Sequence, residues 1–146
     1  MYNNDRHMKL ESHLCFPLYA AARETMKLYR PYLEPLGLTY TQYIALLVIW
    51  EVKSISVKDL GKRLYLDSGT LTPVLKSLEG KGYITRFRST EDERVLIVEL
   101  TDSGVELREK AFNIPIEMAA KIKNFTREEM ITLYHMLYKL LENAEK

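Results

Sequence analysis

The 146-residue chain is short of several things, and each shortage excludes something. One cysteine, Cys15, leaves no intrachain disulfide and so no disulfide-stapled secreted scaffold. Gly and Pro together number only 11, and 47% of the residues are hydrophobic, which excludes a disordered or low-complexity chain. The longest unbroken apolar run, residues 43–50, is eight residues, far short of the roughly 20 that span a membrane. No charged-then-apolar leader is present, so no secretory signal is expected and the cytoplasm is the expected compartment. His7, His13 and His135 lack metal-ligand spacing, and neither a phosphate-cradling glycine loop nor a nucleophile elbow is present. No metal or cofactor is expected, and a cysteine peroxidase is the one enzyme class left to weigh. Neither charge sign dominates, with 21 Lys and Arg against 20 Asp and Glu. A uniformly basic nucleic-acid binder is thereby excluded, although an average can hide a patch.

It does hide one. Residues 53–88 carry Lys53, Lys58, Lys62, Arg63, Lys76, Lys81, Arg86 and Arg88 against Asp59, Asp67 and Glu79. That surplus of five positive charges leaves the rest of the chain with a net charge of −4. The length suits one domain spanning 1–146.

Periodicity gives the order of elements. Leu10, Leu14, Leu18, Leu28, Tyr32 and Leu36 recur at helical spacing, and Gly37 is a stop. Thr39 and Gln42 form a capping box that opens the apolar stretch 43–50, a helix expected to be central and buried. After a short break at 53–56, Val57, Leu60 and Leu64 mark one short helix. Leu71, Val74, Leu75 and Leu78 mark a second, ended by Gly80 and Gly82. The period then falls to about two over 83–89 and 95–100, joined by a charged stretch, which reads as a hairpin. Thr101-Asp102 starts a helix through Val105, Leu107, Ala111, Ile114 and Met118 with a break at Pro115, and Thr126 with Glu129 caps the last one. The fold class is mainly α with a small β-hairpin.

Two short helices followed at once by a hairpin describe a winged helix-turn-helix, whose second helix fits the DNA major groove. Ser68, Thr70 and Thr72 offer hydroxyls near the start of that helix, with Lys76 further along and Arg86 and Arg88 at the start of the hairpin. Arg94 sits at the wing, where a narrow A·T-rich minor groove attracts guanidinium, and Asp92 two residues earlier can hold it by a charge-assisted hydrogen bond. One local conflict stays open. Thr72-Pro73 has the form of an N-cap with proline at the first helical position, whereas a start at Ser68 puts Pro73 inside the helix with a bend.

Pro17 sets the start of the first long helix near Cys15 or Phe16, because proline is tolerated only in a first turn. The thiol then stands at the positive end of the helix dipole, where thiolate is favoured. A buried, inert cysteine is the other reading. Tyr19 lies four residues on, on the same face. Tyr29 returns to within about 40° of that face but lies about 21 Å further along the helix. Only an antiparallel helix from a second subunit brings Tyr29 near another Cys15, and Tyr40 reaches the same place. Phenol donors would stabilise a thiolate there; tyrosines that merely fill an interface fit the spacing equally.

The stretches Leu14-Cys15-Phe16, Leu38-Thr39-Tyr40-Thr41-Gln42-Tyr43, 64–73 and Asp92-Glu93-Arg94 resemble the MarR family of winged-helix regulators, in particular its organic-hydroperoxide-sensing OhrR branch. The resemblance covers nearly the whole chain. It implies a homodimer built on helices within 1–36 and 104–146, with a winged helix-turn-helix over 54–100. It further implies a peroxide sensor at Cys15, supported by Tyr19, Tyr29 and Tyr40. Pro73 would lie inside a bent recognition helix, and the wing arginine, Arg94, in the minor groove. The implied activity is a repressor that binds a pseudo-palindromic double-stranded operator and releases it when an organic hydroperoxide oxidises Cys15. With no second cysteine, this is the one-Cys type, in which the oxidised sulfur condenses with a low-molecular-weight thiol or oxidises further. The rival reading keeps DNA binding but gives release to a small phenolic or lipophilic ligand, with Cys15 structural.

Overall fold

The structure is a computed structural model that describes residues 4–144. Two compact units divide it, Met1–Ile114 and Pro115–Lys146. Among the described residues, no helix is long and apolar enough to cross a membrane.

The first unit begins with two short 3-10 turns, Asn4–Met8 and Leu10–Ser12, before α1, Cys15–Leu33. The leucine spacing at 10, 14 and 18 predicts helix across this stretch, whereas Pro17 predicts a start near Cys15 or Phe16. Helix α1 starts at Cys15, as the proline requires, which places Pro17 at its third residue, where a missing N–H costs nothing. A 3-10 turn, Glu34–Leu36, and Gly37 in the left-handed region (φ 67°) then reverse the chain into α2, Tyr40–Val52. The Thr39 hydroxyl accepts from Gln42 N at 3.2 Å, and Gln42 Oε1 accepts from Thr39 N at 3.0 Å, so the expected capping box is formed. As its apolar run required, α2 is central: Ala45, Leu46 and Ile49 are fully buried, and Trp50 donates its indole N–H to Gly104 O at 2.9 Å.

The helix-turn-helix follows as α3, Val57–Leu64, and α4, Ser68–Gly80. Tyr65 adopts φ 55° to end α3, and Leu66 N donates to Gly61 O at 3.0 Å to close the turn. A Cβ on Gly61 would stand 2.7 Å from Leu66 O, so this turn requires glycine there. Leu71, Leu75 and Leu78 form the buried stripe of α4.

Three strands make an antiparallel sheet in the order β1-β3-β2, with β1 at Ser54–Ser56, β2 at Ile84–Arg88 and β3 at Leu96–Leu100. The hairpin β2–β3 matches the expected period change; β1 does not, because the segment at 53–56 reads in the sequence only as a break. Its three residues become a strand by pairing with β3, Ile55 opposite Val98. Helix α5, Asp102–Ala111, is capped by Thr101, whose hydroxyl accepts from Gly104 N at 3.1 Å. The break expected at Pro115 comes at Phe112, and α6 spans Ile114–Lys121. In the second unit, α7, Arg127–Leu141, carries the second expected capping box, with Thr126 N donating to Glu129 Oε2 at 2.8 Å. None of the residues of α7 is buried.

Candidate nucleic-acid interface and thiol site

The start of α4 is settled by Asp67. Its carboxylate accepts from Thr70 N at 2.7 Å, which holds the carboxyl below the usual range and places the N-cap five residues before Thr72. Pro73 therefore lies inside α4, where it cannot donate to the carbonyl four residues back. The Thr72 hydroxyl meanwhile donates to Ser68 O at 2.7 Å. Ser68, Thr70, Thr72, Pro73 and Lys76 are all exposed, so α4 presents a hydroxyl-rich face ending in a cation opposite its leucine stripe.

At the wing, Arg94 meets Asp92 side-on: Nε donates to Oδ1 at 3.1 Å and Nη2 to Oδ2 at 3.2 Å. Asp92 Oδ1 also accepts from Arg94 N at 3.1 Å, and these bonds hold its carboxyl below the ordinary range. The arginine is ordered by a carboxylate yet 91% exposed. Arg88 Nη1 reaches Arg94 O at 3.4 Å, and Arg88, Ser89, Thr90 and Glu93 line an open depression beside it.

Arg86 has a different position from the one its charge predicted. Its Nη2 lies 3.2 Å from Glu79 Oε1, its backbone N–H donates to Glu79 Oε2 at 2.9 Å, and its side chain is only 17% exposed. The same contacts lower the Glu79 carboxyl. The guanidinium is turned inward to brace the end of α4 against β2. Glu79 was missed because sequence shows a charge without showing which neighbour it meets.

Cys15 is exposed at the first residue of α1. Tyr29 and Tyr40 come together as expected, with ring centroids 4.8 Å apart, and Tyr43 joins them at 5.8 Å and 6.3 Å. Tyr43 was hidden at the head of the apolar run, although its spacing of three from Tyr40 puts both on one helical face. Tyr19 is not in this cluster; it is 61% exposed, with the Arg23 guanidinium 5.4 Å from its ring centroid. Fourteen residues of α1 separate Cys15 from Tyr29, about 21 Å of helix rise, so the two do not meet within one protomer.

Burial raises the phenols of Tyr29, Tyr40 and Tyr43, and the neighbouring tyrosines add to it for the latter two. Tyr43 is pushed up to about 12. All three stay O–H donors at neutral pH, the form a thiolate acceptor needs. Because the fold favours the neutral phenol, the stability linked to Tyr43 is complete below pH 10.0 and is lost as pH rises from there through about 12. A tyrosinate absorbance titration should show a late step near that pH that is missing in Tyr43→Phe. An unchanged late step would assign it to another tyrosine.

Comparison with known proteins agrees with this architecture. The family model for the SarA/Rot transcriptional regulators matches residues 27–111. The organic hydroperoxide resistance transcriptional regulator of Bacillus subtilis (strain 168) is 51% identical over 146 residues, covering 100% of this chain and 99% of its own. Among solved structures, reduced AbfR bound to DNA is 32% identical and superposes with a TM-score of 0.79, covering 97% of this chain and 99% of that one. AbfR, from Staphylococcus epidermidis, is also known in an overoxidised DNA-bound form and a disulfide-formed state. A mutant MarR from E. coli complexed with operator DNA is 27% identical with a TM-score of 0.82, covering 95% and 99%. The Bacillus subtilis relative is a transcriptional regulator, and the reduced AbfR and mutant MarR structures hold DNA. The chain belongs to the SarA/Rot group of MarR-type winged-helix transcriptional regulators, and within it to the organic hydroperoxide regulator type.

Proposed function

We propose that the chain is a homodimeric, cytoplasmic repressor that holds a pseudo-palindromic operator while Cys15 is reduced and releases it when an organic hydroperoxide oxidises that thiol. The observation that carries this reading is the pairing of an exposed cysteine at a helix N-terminus with a cluster of protonated phenols one helix length away.

DNA contact falls to the exposed face of α4, with Ser68, Thr70, Thr72, Pro73 and Lys76 toward the major groove, and to Arg94 at the wing. Asp92 orders Arg94, and Arg86 serves by bracing α4 to the hairpin. The dimer rests on apolar side chains that the protomer leaves exposed. In the first unit these include Leu10, Leu14, Phe16 and Leu18. In the second, Ile131, Leu133, Met136, Leu137 and Leu140 of α7 are exposed. An antiparallel pairing of α1 helices sets each Cys15 beside the partner subunit's Tyr29 and the partner subunit's Tyr40. Tyr19, under the Arg23 guanidinium, supports the sensor from the Cys15 face of α1.

Oxidation is a two-electron transfer. The Cys15 sulfur attacks the outer peroxide oxygen, an S–O bond forms and the O–O bond breaks. The leaving alkoxide takes a proton to become the alcohol, and Cys15 becomes a sulfenic acid. A small cellular thiol then condenses with it, giving a mixed disulfide and water, or further hydroperoxide oxidises it. The neutral sulfur of the sulfenic acid or mixed disulfide is a poorer acceptor for the phenols, and an added thiol is bulky, so in these two states the dimer no longer holds both recognition helices at operator spacing. The test measures binding of reduced protein to a duplex it selects from a random-sequence pool, before and after cumene hydroperoxide. Loss of at least tenfold in affinity is expected; unchanged affinity would refute the reading.

A further inference from the structure

Gln42 is the one buried polar residue recorded in the core of the described chain, 7% exposed, and both ends of its amide are engaged. Oε1 accepts from Thr39 N at 3.0 Å and is reached by Lys81 Nζ at 3.4 Å, while Nε2 donates to Ser77 Oγ at 3.0 Å. Lys81 also donates to Gly37 O, in the turn before α2. A capping box alone needs only the first of these bonds. The others tie the first turn of α2 to the last turn of α4 and to the residue that ends it. That same first turn carries Tyr40 and Tyr43, which pack on Tyr29 of α1.

We infer that Gln42 is a positioning residue that couples the tyrosine cluster to the recognition helix. It carries the setting of the tyrosine cluster onto α4 through Ser77 and Lys81, so that a displaced cluster moves the recognition helix. The inference deepens the peroxide-sensor reading and rests on it. Mechanically, α2 is a single helix whose third residue holds both connections, so a shift of Tyr40 is a shift of Gln42. A buried amide that loses a partner leaves an unpaired polar group, which makes the joint selective between arrangements instead of tolerant of both.

Ser77→Ala removes the Nε2 bond of the joint while leaving the capping box and the Lys81 contact in place, and alanine's better helix propensity offsets part of the cost of the unpaired amide, which the melts read. Each protein is measured on the same selected duplex with and without cumene hydroperoxide, alongside thermal melts. In wild type the oxidant should lower affinity tenfold or more, within the usual range of allosteric coupling. Ser77→Ala should bind within about threefold of wild type when reduced, yet lose less than about threefold on oxidation. Ser77→Thr, which keeps the hydroxyl, should restore the wild-type response. Full release of Ser77→Ala would overturn the inference while sparing the sensor, and so would loss of binding by the reduced variant, which would make Ser77 a DNA contact. No response in wild type would remove both.

Discussion

Cys15→Ser should bind the operator within about threefold of wild type and lose the response to organic hydroperoxide, so that the tenfold or larger drop disappears. Binding should survive because Cys15 is exposed and contributes nothing to the core, and because serine is well accommodated at a helix N-terminus. The response should vanish because the hydroxyl has no sulfur to oxidise. The result separates the sensor from the rival ligand-released repressor. A structural cysteine would give wild type and the serine variant the same response to peroxide. Rapid, repeated peroxide consumption by wild type would instead revive the peroxidase.

Arg94→Ala should weaken operator binding by roughly tenfold to a hundredfold, in line with loss of one good groove contact. Its thermal stability should not move, since the side chain is 91% exposed and touches Asp92 and no core residue. A guanidinium in the minor groove also releases counterions, so the slope of log affinity against log salt should shrink by about one. The bidentate Asp92 contact holds the guanidinium in one orientation before DNA arrives, reducing the ordering that binding must impose. Unchanged affinity and slope would take the wing out of the interface.

What the sequence revealed and what it concealed divide along the range of the interactions. Capping boxes at Thr39–Gln42 and Thr126–Glu129 are legible because the partners lie three residues apart. The burial of α2 is legible because its apolar residues leave no polar face. The start of α4 is not, because the sequence leaves Thr72-Pro73 and a start at Ser68 both open; the Asp67 carboxylate decides it by accepting from Thr70 N. Strand β1 is illegible for a different reason. Ser54-Ile55-Ser56 has no strand period of its own and depends on β3, more than forty residues later.

The candidate sites follow the same division. Arg94 and Asp92 are two residues apart, and their contact is present as expected. Arg86, placed by the sequence among the DNA-contact candidates, turns in to Glu79 of the preceding helix, a partner that the sequence does not single out. The meeting of Tyr29 and Tyr40 is present as expected and forms within one protomer, because the Gly37 turn folds α2 back onto α1. Gln42 was visible as a cap; its bond to Ser77, 35 residues away, was not.

The most direct test follows DNA occupancy and the state of Cys15 in the same samples. Reduced protein on its selected duplex is titrated with cumene hydroperoxide in the presence of free cysteine, and each step is read by bound fraction and by intact mass. DNA should be released in step with the appearance of the sulfenic acid or its mixed disulfide at Cys15, and not before. Release while Cys15 is still a thiol, or full occupancy with Cys15 converted to either species, would contradict the account.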